Sequence, residues 1–222
     1  MKFILGCLIA MLFSQSCVAG VVLGGTRVIY DSEKKEATLT LTNTQAQKSY
    51  LVQSWITSNQ GSNKNLPFII TPPLFKLGAN KKGILRIVNV DTSLPKDRES
   101  LYWINVKPIP SSDTQNKNEL QLIVKSSIKL IYRPAALQED AATAYTKIKF
   151  TSQNNNIDIY NPTPFYINLY SVELDGIPQE NLPLVAPFSH SKINGTSKKI
   201  TNIQWQAIND SGSTTNAMNA TL

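Results

Sequence analysis

Two positively charged residues stand inside apolar stretches of this sequence, where a cation requires a specific explanation. Arg27 lies within the run Val21–Tyr30, and Lys129 lies within the run Ile128–Ile131. A cation buried without a partner is costly. One explanation is a shared anion, because arginine offers a planar fork and lysine a mobile point charge, which together suit a carboxylate. The pattern alone favours the alternative, in which each cation pairs with one of the protein's own 15 acidic residues.

The segment that carries Lys129 also contains a clear apolar alternation. Leu120, Leu122 and Val124 alternate with other side chains, which is the period of a β-strand, and Pro134 ends the predicted strand. A strand that is both strongly apolar and cationic suggests pairing with a partner molecule. Packing of the three apolar side chains in the protein's own core is the alternative that the sequence leaves open.

Catalytic chemistry has little support. The single histidine, His190, lies between two serines in a loop-like stretch, and adjacency in sequence does not make a Ser-His catalytic pair. We interpret it as a surface residue. Asp97 and Glu99 flank Arg98 and are interpreted as ion-pair formers. No glycine-rich phosphate loop or nucleophile elbow occurs, so we predict that the protein is not an enzyme and needs no cofactor or metal.

The first 19 residues predict an export signal. Lys2 supplies the positive start, Phe3–Phe13 is apolar, and Cys17–Ala19 offers a cleavage site of small residues before Gly20. The apolar run is shorter than the roughly 20 residues of a membrane span. Cleavage would remove both cysteines, Cys7 and Cys17, and would lower the formal net charge from +7 to +6. For an exported basic protein we favour a protein partner over nucleic acid.

Closely spaced β-type runs follow, with little helical periodicity, and this pattern is typical of immunoglobulin-like sandwiches. Seven runs precede the break at Pro134: Val21–Tyr30, Ala37–Asn43, Tyr50–Ile56, Phe68–Thr71, Ile84–Val90, Leu101–Val106 and Leu120–Tyr132. Six more follow it: Lys147–Thr151, Ile157–Tyr160, Tyr166–Leu174, Leu184–Ser189, Lys198–Ile203 and Gln204–Ile208. We predict an all-β fold of two sandwich domains, residues 20–136 and 137–222, in an L or boomerang arrangement with a cleft between them.

The order of the motifs resembles that of periplasmic pilus chaperones, the PapD-like family, and especially its type 1 pilus members. The matching segments, in the family's order, are Gly24–Tyr30 (GGTRVIY), Gln53–Trp55 (QSW), Thr71–Phe75 (TPPLF), Leu85–Ile87 (LRI), Leu94–Val106 (LPKDRESLYWINV), Ile128–Pro134 (IKLIYRP), Asn161–Tyr166 (NPTPFY) and Asn209–Gly212 (NDSG). Each segment alone is weak, whereas the ordered set is specific and extends almost to the end of the chain.

The resemblance implies a periplasmic chaperone that binds, folds and caps pilus subunits, both pilins and adhesins, and delivers them to an outer-membrane usher. It implies that Arg27 and Lys129 bind the C-terminal carboxylate of a subunit in the inter-domain cleft. It also implies that Leu120, Leu122 and Val124 fill the groove of a subunit that lacks its own last strand, which is donor-strand complementation. Main-chain hydrogen bonds would supply affinity, and the carboxylate site would set the register.

The resemblance further implies that Glu99, Arg133 and Asp210 form an inter-domain salt-bridge network that fixes the angle between the domains. One question stays open at this point. Leu120 and Lys129 are nine positions apart, so a regular strand directs them to opposite faces. Either a bulge intervenes, or the carboxylate site and the donor side chains lie on different faces.

The short loop Ser111–Glu119 and the absence of a cysteine pair match the short-loop branch of the family, which is associated with rod-like pili. The chief alternative function is an exported immunoglobulin-like structural or adhesive fimbrial subunit. Such subunits typically carry a disulfide and an N-terminal extension, and neither is evident here. An exposed apolar strand would also favour weak self-association of the free protein.

Overall fold

The computed structural model describes residues 20–91, 93–111, 122–137, 141–153, 156–194 and 200–222. Within these residues β-strands dominate, and two short 3₁₀ helices, Ala135–Leu137 and Ala141–Lys147, connect two sandwiches. The predicted signal, residues 1–19, and the predicted donor residue Leu120 lie outside the described residues.

The first sandwich is built from nine strands in two sheets. They are β1 (Val21–Leu23), β2 (Arg27–Asp31), β3 (Ala37–Asn43), β4 (Tyr50–Ser58), β5 (Phe68–Thr71), β6 (Leu74–Leu77), β7 (Lys82–Asn89), β8 (Ser100–Pro110) and β9 (Ser126–Arg133). One sheet has the order β1-β3-β7-β5 and the other the order β2-β9-β8-β4-β6. All the pairs are antiparallel except β2 with β9, which is parallel.

Alternation along the strands creates the first core. In β3, Leu39 and Leu41 are buried while Thr38 and Thr40 are exposed, as the sequence predicted. In β9, Leu130 and Tyr132 belong to the core of the first sandwich. Because successive side chains of a strand point to opposite faces, Lys129 and the other odd-numbered residues of β9 are directed away from that core.

The predicted continuous run Val21–Tyr30 is wrong, because the chain changes sheets within it. Residues up to Leu23 pair with β3, and the residues from Arg27 pair with β9. The change occurs at Gly24, whose N–H donates to the Thr40 carbonyl at 2.8 Å. A Cβ at Gly24 would lie only 3.1 Å from the same oxygen, so this close approach favours glycine.

The predicted strand Leu120–Tyr132 is also too long. Regular pairing begins only at Ser126, and residues 122–125 belong to no strand. Their side chains are exposed, and Leu122 and Val124 retain 78% and 69% of their accessible surface. The interpretation of Leu122 and Val124 as core residues is therefore excluded.

The second sandwich has its own core and eight strands. They are β10 (Lys149–Gln153), β11 (Asn156–Asn161), β12 (Ile167–Leu174), β13 (Ile177–Pro178), β14 (Leu184–Val185), β15 (Ser189–Asn194), β16 (Asn202–Ala207) and β17 (Met218–Thr221). One sheet has the order β10-β11-β15, and the other has the order β13-β12-β16-β17, with β14 also paired to β12.

Three predictions for the second sandwich are wrong in detail. The runs Lys198–Ile203 and Gln204–Ile208 do not form two strands, because the alternate burial of Ile203, Trp205 and Ala207 continues through the predicted break as β16. The run Leu184–Ser189 is interrupted at Phe188, which has a positive φ of 51°. His190 lies in strand β15 rather than in a loop, although its side chain is exposed as predicted.

Close contacts join the sandwiches, and some of them involve the backbone. The Glu99 N–H donates to the Pro164 carbonyl at 2.9 Å. Gly212, in a turn with φ of +85°, approaches Thr26 so closely that a Cβ there would lie 2.5 Å from Thr26 Oγ1. The predicted fold class, a two-domain all-β protein, is confirmed.

Candidate functional site

The two cations singled out in the sequence are neighbours in the structure. Arg27 of β2 is in register with Lys129 of β9, which is in register with Trp103 of β8. Trp103 in turn is in register with Thr57 of β4. Because cross-strand partners share a face, these four residues form one row across the sheet. The row lies on the face of the sheet opposite the first core. Its Arg27 end contacts the second sandwich.

Arg27 is only partly satisfied by the protein. Its Nη1 donates to the Ile208 carbonyl of the second sandwich at 3.3 Å, and its buried Nε has no hydrogen-bond partner among the described residues. Burial lowers the pKa of Arg27, and the nearby charge of Asp210 partly opposes that shift. A half-satisfied guanidinium in a cleft retains hydrogen-bonding capacity for an incoming acceptor.

Lys129 also lacks an acidic partner in the described part of the chain. Its ammonium lies 5.3 Å from the centroid of the Trp103 ring, in the range of a cation–π contact. Burial, and then the like charge of Arg27, lower the pKa of Lys129. Neither Lys129 nor Arg27 forms a salt bridge with any described residue. Two adjacent, half-buried cations of this kind are chemically suited to an anion.

Arg133, four residues after Lys129 on the same face of β9, has a very different environment. Its Nε donates to Glu99 Oε1 at 2.7 Å, and its two Nη atoms donate to the Asp210 carboxylate at 2.6 and 2.9 Å. Glu99 Oε2 accepts from the Tyr166 N–H at 2.7 Å. The guanidinium also lies 5.5 Å from the centroid of the Phe165 ring. Glu99 and Arg133 come from the first sandwich, whereas Asp210, Tyr166 and Phe165 come from the second.

The pairing of Arg133 affects its pKa. Burial alone would lower the pKa of Arg133, but its hydrogen bonds to Asp210 and the charges of Glu99 and Asp210 raise it well above the ordinary value. Burial raises the pKa of Glu99, and its interactions with Arg133 and the Tyr166 N–H work against that rise. Glu99, Arg133 and Asp210 therefore link the two sandwiches, and their charges are compensated within the protein.

A cavity of about 280 Å³ lies between the sandwiches. Arg27, Arg133 and Asp210 contribute its polar wall, and Tyr145 and Ile131 are among its other lining residues. The cavity therefore lies between the partly satisfied Arg27 and the fully paired Arg133.

The question about the two faces of β9 is answered within the paired region. The β8–β9 register runs without a shift from Val106–Ser126 to Ser100–Tyr132, so no bulge occurs there. Lys129 therefore lies on the face opposite Ile128 and Leu130. Leu122 and Val124, just before β9, have the same parity as those two core residues, although they lie outside the regular pairing.

The sequence analysis missed the role of two aromatic side chains. Trp103 was noted only as part of a motif, because its position beside Lys129 depends on a strand register that the sequence does not specify. Phe188 was predicted only as part of the β-run Leu184–Ser189, yet its ring centroid lies 5.0 Å from the Arg98 guanidinium carbon and so adds a contact between the sandwiches. His190 Nδ1 lies 2.6 Å from Asp158 Oδ2, on an exposed face of the second sandwich.

Comparisons with known proteins agree with this architecture. Residues 20–138 match the family described as "Pili and flagellar-assembly chaperone, PapD N-terminal domain". Residues 143–218 match "Pili assembly chaperone PapD, C-terminal domain". The chain is 43% identical over 210 residues to "Chaperone protein LpfB" of Salmonella typhimurium, covering 92% of this chain and 90% of the relative. It is 40% identical over 216 residues to "Chaperone protein FimC" of Escherichia coli (strain K12), covering 96% and 89%.

Solved structures give the same result. A chain of the complex described as "Salmonella enterica SafA pilin in complex with the SafB chaperone (Type I)" superimposes with a TM-score of 0.84 at 34% identity, covering 94% of this chain and 99% of that one. The E. coli chaperone DraB superimposes with a TM-score of 0.81 at 38% identity, covering 91% and 98%.

The fold and the cleft define a two-domain, all-β binding protein with an unpaired cationic site. The chain belongs to the PapD family of pilus-assembly chaperones. The resemblance found in the sequence is therefore confirmed, and the alternative of a structural fimbrial subunit is not supported. Pilus chaperones of this family are periplasmic. In the described part of the chain, no helix has the length and apolar character needed to cross a membrane.

Proposed function

We propose that this chain binds unfinished pilus subunits in the periplasm and completes their fold with its own residues. Residues 1–19 act as the export signal. The chaperone then passes the subunit to an outer-membrane usher. Its structural relatives support this partner class, since one of them is a chaperone in complex with a pilin.

The pairing of Arg27 with Lys129 is the observation that carries the proposal. The two cations are adjacent across β2 and β9, and neither has a carboxylate partner among the described residues. The C-terminal carboxylate of a subunit supplies what they lack: two acceptor oxygens for the arginine fork and a counter-charge for the lysine. Arg27 lies in the cleft between the sandwiches. We propose that the site therefore prefers the carboxylate at the end of a chain, which enters a cleft more easily than an acidic side chain on a folded surface.

The apolar segment before β9 supplies the second part of the interaction. Leu122 and Val124 are exposed and immediately precede the strand that holds Lys129. We propose that these residues, together with Leu120, enter a groove of the subunit while their backbone pairs with its edge strands. Each Leu or Val buried in this way stabilises the complex by about 1.5–3 kcal/mol. The carboxylate site, a few residues along the same chain, fixes the register of the pairing.

The Glu99–Arg133–Asp210 network holds the two domains at one angle, so that Arg27 keeps its place between them. We assign the domains to residues 20–136 and 137–222. In support of this boundary, Leu137 packs against the core of the second sandwich, and the Tyr145 carbonyl accepts a hydrogen bond from Trp205 Nε1 at 3.0 Å. The angle between the domains then sets the width of the cleft available to the subunit terminus.

Binding, rather than catalysis, performs the work in this proposal. The free energy for folding the subunit comes from its packing on the donor residues, without ATP, metal or another cofactor. The exposed Leu122, Ile123 and Val124 also favour weak self-association of the free chaperone, because an uncovered apolar segment can pair with a second copy. Light scattering of wild type and Leu122→Asn at increasing concentration tests the self-association.

The central experiment is a pull-down of the tagged chaperone from the periplasm of its host, with captured chains identified by mass spectrometry. Wild type is expected to capture pilin-like chains, and Arg27→Ala and Lys129→Ala are expected to lose them. Matched controls are Arg86→Ala and Lys107→Ala, which remove the same charges elsewhere in the first sandwich. Capture that persists in both cleft variants would overturn the carboxylate site. Equal loss in the controls would indicate a general effect of charge.

The donor residues are tested in the same assay. Leu122→Asn and Val124→Asn are expected to abolish capture without reducing stability, since both side chains are exposed in the free protein. Ile177→Asn is the control, because Ile177 is an aliphatic residue of the second sandwich that is also exposed. Undiminished capture by Leu122→Asn together with Val124→Asn would contradict the assignment of these residues.

A further inference from the structure

The position of the Lys129 side chain over Trp103 requires an explanation. Its ammonium is beside the like charge of Arg27, and no described carboxylate holds it there. Lysine has a long, flexible side chain that normally extends toward water. Repulsion by Arg27 and partial burial both favour movement of the ammonium out of the row. Nevertheless it lies over the face of Trp103, 5.3 Å from the ring centroid.

The ring of Trp103 is itself held in place. Its Nε1–H donates to Asn59 Oδ1 at 3.3 Å, and this hydrogen bond restricts the orientation of the indole. The neighbouring row of the sheet is also tied together, because Ser127 donates to Asn105 Oδ1 at 2.8 Å and Asn105 donates to Thr57 Oγ1 at 3.2 Å. The Trp103 ring next to Lys129 is therefore oriented by its hydrogen bond to Asn59, beside a row of side chains that are themselves hydrogen-bonded.

An aromatic face has one property that a carboxylate lacks in this position. It attracts a cation through the ring quadrupole but does not neutralise its charge. An acidic residue beside Lys129 would hold the ammonium but would compete with the carboxylate of a partner. A tryptophan holds the ammonium and leaves its donor hydrogens and its full charge available. A tryptophan therefore suits a site at which the lysine must keep its charge until a carboxylate binds.

We propose that Trp103 is a positioning residue of the carboxylate site: its ring, oriented by Asn59, keeps the Lys129 ammonium beside Arg27 before a subunit binds. This inference rests on the proposed function, because it assigns a purpose to the position of Lys129 in that site. Preorganisation of this kind strengthens binding by reducing what must be ordered on association. The effect should be specific to ligands that carry a free carboxylate.

The first test does not depend on any ligand. In NMR spectra of the protein with labelled lysine, the methylene protons next to the Lys129 ammonium should be shifted by the Trp103 ring current. Trp103→Leu should remove that shift, and Asn59→Ala should reduce it. Trp55→Leu is the matched control, because Trp55 lies on the same sheet face but is in register with Asn105 rather than Lys129. Unshifted Lys129 methylene protons in wild type would overturn the proposal.

The second test measures binding by calorimetry with two synthetic peptides. Both carry the last 15 residues of a subunit captured by wild type, one as the free acid and one as the C-terminal amide. Trp103→Leu should weaken binding of the acid by about threefold to thirtyfold and leave the amide unchanged. Trp103→Phe should recover part of the loss, since phenylalanine retains an aromatic face.

The outcomes separate the two proposals. If wild type binds acid and amide equally, the carboxylate site itself is wrong. If wild type prefers the acid and Lys129→Met removes that preference while Trp103→Leu retains it, the site stands and the role of Trp103 is wrong. Equal weakening of both peptides by Trp103→Leu indicates a merely structural tryptophan and also overturns the inference. If Trp103→Leu does not fold, Asn59→Ala and Trp103→Phe provide the same comparison.

Discussion

Two cationic groups share one face of strand β9 and differ in almost everything else. At one end, Arg133 donates to Glu99 and to both oxygens of Asp210, so its charge is fully compensated by the protein. At the other end, Lys129 and its neighbour Arg27 have no salt bridge with any described residue, and burial lowers the pKa of each. Arg133, which joins the two sandwiches, is thus paired with carboxylates, whereas the nearby charge of Asp210 compensates Arg27 only in part and Lys129 has no salt bridge among the described residues.

The presence or absence of an acidic partner within the protein gives a physical criterion for distinguishing a structural cation from a candidate binding residue. A protein tolerates a half-buried, uncompensated cation at some cost to its own stability. Such a cost is retained where the charge acts on something outside the chain. Arg133, a compensated cation four residues away on the same face of β9, shows that the fold can supply carboxylate partners to a buried cation.

The largest expected effect is the loss of the paired cation. Arg133→Met should lower the free energy of unfolding by about 3–5 kcal/mol, because Glu99 is left buried without its cation. Urea denaturation followed by circular dichroism measures this change. Arg86→Met, which removes an exposed arginine 3.9 Å from Glu36, should change stability by no more than about 0.5 kcal/mol. A small effect for Arg133→Met would remove the distinction between the two groups.

The next largest effect is expected at Gly212, where the second sandwich approaches Thr26 of the first. Gly212→Ala should destabilise the protein by roughly 1–3 kcal/mol for its positive φ, with a further loss from the clash with Thr26 Oγ1. Gly176→Ala is the matched control, because its φ is +79° and no atom lies within 4 Å of its added Cβ. The difference between the two variants isolates the inter-domain contact. Thr26→Ala should recover that difference, and equal losses in both glycine variants would contradict the contact.

The sequence predicted much of this site but not its geometry. Periodicity and motif order were enough for the two sandwiches and for the candidate cations. The sheet change at Gly24 was missed although Gly24 and Gly25 interrupt the apolar pattern of Val21–Tyr30, because the pairing of the flanking residues with β3 and β9 depends on long-range contacts. Trp103 was missed for a similar reason, since its contact with Lys129 arises from pairing between β8 and β9. Long-range register is decided by the packing of the whole sheet, which local pattern does not contain.

The unpaired cations should matter much less for stability than Arg133. Lys129→Met should change the free energy of unfolding by no more than about 0.5 kcal/mol, and the change should tend toward stabilisation because a like charge beside Arg27 is removed. Urea denaturation at neutral pH measures it, beside the Arg133→Met variant. A loss comparable to that of Arg133→Met would mean that Lys129 has an internal structural role and would end the comparison.

The smallest expected effect is a pH dependence of peptide affinity and of stability that arises from Lys129. The pKa of Lys129 in the free protein is lowered by burial and by Arg27, so the ammonium begins to lose its proton below the ordinary lysine value of about 10.4. As the pH rises through this lowered pKa, affinity for a peptide with a free C-terminal carboxylate should fall, because the lysine is then neutral. The stability of the free protein should rise slightly in the same window, since the unfolded chain still binds the proton that the folded protein has lost.

Calorimetric titrations of the peptide acid between pH 7 and the alkaline limit of folding, with urea denaturation in parallel, measure both trends. Lys129→Arg is the matched control, because arginine keeps its charge throughout this range and both trends should disappear. The Arg133 network should contribute nothing here, since its cation is held in the charged form by Glu99 and Asp210. If the affinity falls equally in Lys129→Arg, the titrating group lies elsewhere and Lys129 is not the lysine that binds the carboxylate.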